Sequence, residues 1–209
     1  MDFRHPLTVV TPTLDGDVLS VLAGADEEFS GRRLHSLVAR GSENGIRRAA
    51  ERLVEQGVVS SRPAGRANLY RLNRSHLAAP HIEGLASLRE QLLEQAQQLV
   101  SEWTMPPRLV MVFGSVARGE AGPPSDLDLL VIRPAQIPED LDEWREQLNH
   151  LEKDLTKWTG NDARVLEYGE ADLQDEAVRG VIEEVRAEGI EVYGSRDVLR
   201  RLIGGDDGR

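Results

Sequence analysis

Arg108-Leu-Val-Met-Val-Phe113 runs straight into Gly114-Ser115-Val116-Ala117-Arg118-Gly119, and ten residues separate Ser115 from Asp126-Leu127-Asp128, which opens the run Leu129-Leu-Val-Ile132. The first stretch reads as a short apolar strand feeding a glycine-opened helix start. Such a junction seats phosphate, because glycine lets the backbone approach closely and the first helical N–H groups point outward with the positive end of the dipole. The Ser115 hydroxyl adds a donor. The run from Leu127 to Ile132 reads as a buried strand, and side chains two apart on a strand share a face, so Asp126 and Asp128 present paired carboxylates.

Two like charges at the mouth of an apolar strand are costly. Magnesium or manganese removes that cost, since such ions take hard oxygen ligands and bridge carboxylates to substrate phosphates. Two ions ~4 Å apart would activate an attacking oxygen and neutralise a leaving pyrophosphate. The chain has no cysteine. Disulfides, Cys-based zinc sites and a thiol nucleophile are thereby excluded, and no histidine pair stands at ligand spacing.

Gly114-Ser115, ten residues, then Asp126-Leu-Asp128 resembles the signature of the DNA polymerase beta-like nucleotidyltransferase superfamily, the minimal nucleotidyltransferases in particular. Ala117-Arg118-Gly119-Glu120 and Pro124-Ser125 match as well, and the likeness extends from about Pro107 to Gly194. The resemblance implies transfer of a nucleoside monophosphate, AMP from ATP, to a protein or RNA hydroxyl. It would place Gly114, Ser115, Arg118 and Ser125 at the nucleotide and Asp126 and Asp128 at the metal. Relatives carry a third acid on a neighbouring strand as metal ligand or general base. Here the expected strand is Ala163-Arg-Val-Leu-Glu-Tyr168, where Arg164 or Val165 occupies that place. Glu167 is the candidate third catalytic acid, with Asp162 second.

Length and composition are those of an ordinary globular chain of one or two domains: 209 residues, 40% hydrophobic and 29% charged. No apolar run approaches the ~20 residues of a membrane span, and Met1-Asp-Phe-Arg-His-Pro6 lacks the apolar segment of a signal peptide, so a cytoplasmic, membrane-free protein is expected. The net charge of −11 is uneven. Residues 1–77 carry +2 and residues 78–209 carry −13, while residues 31–74 hold ten arginines and three acids.

That basic stretch has helix spacing at Val18, Leu19 and Leu22, again at Leu34, Leu37 and Val38 behind Ser30, and again at Ile46, Ala49, Ala50, Leu53 and Val54 behind Ser42. A strand from Val58, the turn Pro63-Ala-Gly-Arg66 and the alternating Ala67-Asn-Leu-Tyr-Arg-Leu72 follow as a hairpin. The pattern resembles bacterial winged helix-turn-helix modules over about residues 12 to 76. Mapped onto it, Ser42, Asn44, Arg47 and Arg48 would face DNA from the third helix, and Arg62, Arg66 and Asn68 from the wing.

The fold class expected is α+β. A winged helix-turn-helix domain spans residues 1–77, a connecting helix 78–105, a nucleotidyltransferase domain with a small mixed sheet flanked by helices 106–195, and a C-terminal tail 196–209, disordered after Leu202. The resemblance to minimal nucleotidyltransferases further implies an antitoxin that adenylylates a partner toxin, commonly a HEPN-type ribonuclease, with the winged helix serving autoregulation as a homodimer on DNA. The alternative is a transcription regulator whose nucleotidyltransferase domain binds nucleotide without catalysis.

Overall fold

A computed structural model describes residues 1–120, 122 and 125–203, the side chains of 202 and 203 excepted. Two units divide the chain, one from Arg4 to Arg89 with Asp2, the other from Glu90 onward with Met1 and Phe3.

The first unit is built from α1 (Leu14–Ala23), β1 (Phe29–Ser30), α2 (Gly31–Val38), α3 (Glu43–Glu55), β2 (Val59–Ala64), β3 (Ala67–Leu72) and α4 (Ala79–Ala86). Serines start two of its helices as their positions dictate. Ser30 Oγ accepts from Arg33 N at 3.2 Å and Ser42 Oγ from Gly45 N at 3.1 Å, each satisfying an orphan amide of a first turn. The apolar stripes Val18/Leu19/Leu22, Leu34/Val38 and Ile46/Ala49/Ala50/Leu53 are buried in one core. Strands β2 and β3 pair antiparallel around Gly65, whose φ of +62° suits glycine. Strand β1, absent from the sequence reading, adds to the far side of β3 through Phe29 opposite Tyr70, giving the order β1-β3-β2.

Where the sequence reads as one connecting helix, the structure has two. Helix α4 carries Pro80 in its first turn, where a missing N–H costs nothing, and it buries Ala79 and Ile82 in the core of the first unit. Its C-terminal residue Ala86 is followed by Ser87, whose non-helical backbone separates it from α5 (Leu88–Ser101).

Beyond α5 come β4 (Leu109–Phe113), α6 (Gly114–Ala117), β5 (Leu127–Arg133), α7 (Asp142–Thr159), β6 (Ala163–Gly169), α8 (Glu176–Glu188), β7 (Ile190–Tyr193) and α9 (Asp197–Ile203). The sheet order is β6-β5-β4-β7, with β5 and β6 parallel and the other pairs antiparallel. This mixed sheet has two apolar faces, which explains why β5 reads as a continuous apolar run rather than an alternating one. Val110, Val112, Leu127, Leu129 and Val131 pack with Leu92 and Ala96 of α5 and with Trp144, Leu148, Leu151 and Leu155 of α7. Leu109, Met111, Leu130 and Ile132 pack on the other side with Val178, Ile182 and Val185 of α8.

Helix α9 occupies the start of the segment set apart as a C-terminal tail. Leu199 is fully buried against the α8 side of the sheet, and that burial offsets the cost of ordering the segment. The part of that tail after Ile203 lies outside the described residues. Among the described residues no helix is long and apolar enough to cross a membrane.

Candidate functional site

Strand pairing brings the glycine turn and the carboxylates together. Phe113, the last residue of β4, lies opposite Asp128 of β5, so the chain turns into α6 beside that side chain. Gly114 has φ +68°, and a Cβ there would sit 2.9 Å from Asp128 Oδ2. Only glycine meets both demands, the left-handed backbone and the close approach to a carboxylate. Ser115 follows, half-buried, in the first turn of α6.

Asp126 precedes β5 and Asp128 lies within it, both partly exposed and two residues apart. Burial pushes the Asp128 carboxyl above the ordinary carboxylate range, the neighbouring Asp126 charge and Glu184 of α8 push it the same way, and Arg164 opposes them. A pair of acids repelling each other at the edge of an apolar strand is suited to binding a cation. Among the described residues no group of three His, Asp or Glu side chains is placed to hold a metal. The donors present therefore fit one hard divalent ion, its remaining positions filled by water and phosphate oxygen.

The parallel register settles what stands opposite the pair. Arg164 of β6 is the partner of Asp128, and its Nη1 lies 2.7 Å from Asp126 Oδ2, with Nε 3.1 Å from Asp162 Oδ2. Asp162 thus stands near Asp126 with this guanidinium between them.

The structure does not bring Glu167 to the pair. It is aligned with Val131, three residues further along the sheet, and odd-numbered positions of β6 face α7 whereas Asp128 is on the α8 side. Its nearly buried carboxylate accepts from Arg133 Nε at 2.6 Å and Trp144 Nε1 at 3.0 Å, and lies 3.3 Å from Arg145 Nη1. Glu167 is the acceptor that holds α7 and the end of β5 together.

Two further nucleotide candidates are engaged elsewhere. Arg118 at the end of α6 pairs with Glu120 at 2.9 Å and with Glu188 of α8. Ser125 Oγ accepts from Gly122 N at 3.1 Å; Pro124 of the same motif lies outside the described residues. Sequence reasoning missed Asn161. Its buried side chain donates from Nδ2 to Ser125 O at 2.9 Å and to Gly122 O at 3.3 Å, clamping the segment that delivers Asp126. The available signal was Gly160, whose φ of +72° ends α7 and turns the next residue inward.

The profile of the family described as nucleotidyltransferase domain matches residues 89–195, just over half of the chain. The chain belongs to that family. Two solved structures are similar to the nucleotidyltransferase at TM-score 0.39 each. One is a toxin-antitoxin with AMP-PNP, 19% identical, covering 53% of this chain and 81% of its own. The other is a mutant of the toxin-antitoxin MntA-HpeT, 14% identical, covering 54% and 80%. No curated protein matches.

The basic stretch of the first unit is less basic in three dimensions than along the chain. Arg40 pairs with Asp17, Arg52 with Asp15, Arg62 with Glu28, and Arg71 and Arg74 with Asp26, all acids from outside residues 31–74. Arg62, expected on the wing surface, is thus held by a two-bond fork on Glu28. Arg32, Arg33, Arg48 and Arg66 form no ion pair among the described residues. Arg32, Arg47, Arg66 and Asn68 line one concavity of about 650 Å3 between α3 and the hairpin, along with Glu43 and Glu51. Asn44 and Arg48 are exposed near the start of α3, and the Ser42 hydroxyl is used as its cap.

Two outcomes are expected. Because the folded Asp128 carboxyl is held above its unfolded value, its ionised form costs stability at neutral pH, a cost that fades as pH falls through the folded pKa. Asp128→Asn therefore raises the Tm at about pH 7 and gives little gain at about pH 3, in thermal melts of both proteins. Glu167→Ala removes the partner of Arg133 Nε and the acceptor of the Trp144 N–H, and is expected to lower the unfolding free energy by about 3 kcal/mol in urea titrations.

Proposed function

We propose that the nucleotidyltransferase domain binds ATP or another nucleoside triphosphate with Gly114 and Ser115 at its phosphates, and transfers the nucleoside monophosphate to a protein or RNA hydroxyl. The observation that carries this reading is the contact between Gly114 and Asp128: phosphate seat and carboxylate pair meet at one edge. Asp126 and Asp128 would hold magnesium or manganese, which supplies positive charge against the triphosphate. The acceptor oxygen forms a bond to the α-phosphorus, the bond to the bridging oxygen breaks, and pyrophosphate leaves. The hydroxyl proton passes to a carboxylate of the pair.

With labelled ATP, magnesium and cell lysate, label is expected on a protein or RNA. In the Asp126→Ala/Asp128→Ala double variant it falls roughly a hundredfold or more, since several kcal/mol of transition-state stabilisation go with the cation site. Transfer absent from the wild-type protein, with ATP binding retained, supports the second reading, a regulator that senses nucleotide without turnover. The presence of Arg164 opposite Asp128, where a third acid would stand, is what favours that alternative.

The resemblance to minimal nucleotidyltransferases supports an antitoxin role, in which the labelled acceptor is a partner toxin such as a HEPN-type ribonuclease. An adjacent reading frame for a small helical ribonuclease, whose product takes up the label, is the expected finding.

The first unit is proposed as a winged helix-turn-helix that reads DNA, with α3 in the major groove and the β2–β3 hairpin on the flanking backbone. Arg32, Arg47, Arg66 and Asn68 lining one concavity, with Arg48 exposed and without an ion pair next to Arg47 on α3, supports this. Replacing Arg47 and Arg48 with Ala is expected to weaken binding to the protein's own promoter and to reduce the slope of log K against log salt by about 1 to 2 in filter-binding titrations. An unchanged slope overturns the assignment of those two side chains to phosphate.

A further inference from the structure

Two-metal phosphoryl and nucleotidyl sites need enough carboxylates to hold a second ion beside the first. Here the neighbouring strand offers Arg164 instead. In a parallel pair the aligned Cα atoms lie about 4.8 Å apart and their side chains share a face, so the residue opposite Asp128 is placed to complete its cluster. A guanidinium has five donors and no acceptor, and cannot ligate a metal. It carries a fixed positive charge, and its fork matches phosphate oxygens as well as carboxylates. Its Nη1 already lies on Asp126, and no third acid completes a metal cluster among the described residues.

We propose that Arg164 is a built-in cation that stands where a second metal ion would otherwise sit, so that this site takes its nucleoside triphosphate with one divalent ion and one guanidinium. The inference rests on the nucleotide-binding reading and deepens it. Two cations of different kinds then divide the work. Asp126 and Asp128 would hold the divalent ion, which would supply positive charge against the triphosphate, and the guanidinium, released in part from Asp126, donates to a phosphate oxygen from the β6 side.

The test counts ions, not turnover. Manganese bound per bound non-hydrolysable ATP analogue is measured by electron paramagnetic resonance on the full chain, with nucleotide occupancy from equilibrium dialysis. The wild-type protein is expected to hold one manganese per nucleotide, and Arg164→Asp, which supplies a third carboxylate, to hold two. Arg164→Ala is expected to bind the analogue roughly tenfold more weakly, and Arg164→Lys to recover part of that loss. The side chain is 63% exposed, so these changes leave the core untouched, and melting curves check that they do. Two ions in the wild-type protein, or one in Arg164→Asp, overturns the proposal. If no nucleotide binds to any of the proteins, the nucleotide reading itself fails, a result distinct from a wrong ion count.

Discussion

Asp128 and Gly114 touch across the end of a β-pair, and most of what this domain can do follows from that contact. The carboxylate sits at the mouth of a strand in which Leu127 and Leu129 to Ile132 are buried, beside a second carboxylate two positions earlier. Folding alone would not favour such an arrangement. The ionised form is disfavoured by burial and by like charge, and only Arg164 opposes this. A site that raises the energy of its own charged groups has affinity to offer a cation, and the left-handed glycine brings backbone and carboxylate close enough for one ligand to meet both.

The two faces of the sheet divide the labour. Toward α7 the residues are apolar or, like Glu167, locked into bonds that join elements; Trp144 is wholly buried there, with Trp103 edge-on against it at 5.6 Å. Toward α8 the face is apolar through its middle and acidic at its end, where Asp128, Glu184 and the Arg118 pairs with Glu184 and Glu188 gather. An acid on β6 therefore serves structure or chemistry according to whether its number is odd or even, a consequence of the two-residue repeat of strands.

Charge in the first unit shows a similar dependence on three-dimensional neighbours. Five of the arginines from residues 31–74 meet acids that lie outside that stretch, which turns much of an apparent basic patch into ion pairs of small individual worth. Among the described residues Arg32, Arg33, Arg48 and Arg66 stay uncommitted, two of which, Arg32 and Arg66, line the concavity between α3 and the hairpin.

The sequence alone determined the local elements and the composition of the site. Serine caps, apolar spacing and the Gly114 turn are decided within a few residues by backbone hydrogen bonding and sterics, so α2, α3, the hairpin, β4, β5 and α7 were legible, as was the spacing of Asp126 and Asp128 two residues apart where β5 begins. Tertiary structure alone decided which residues of β6 stand opposite that pair. Register and facing depend on packing between strands far apart in the chain, and a shift of one residue exchanges Arg164 for Val165. For the same reason β1, the division of the helical stretch near Ser87 and helix α9 went unread: each is short or of weak local preference and is held by burial against distant partners.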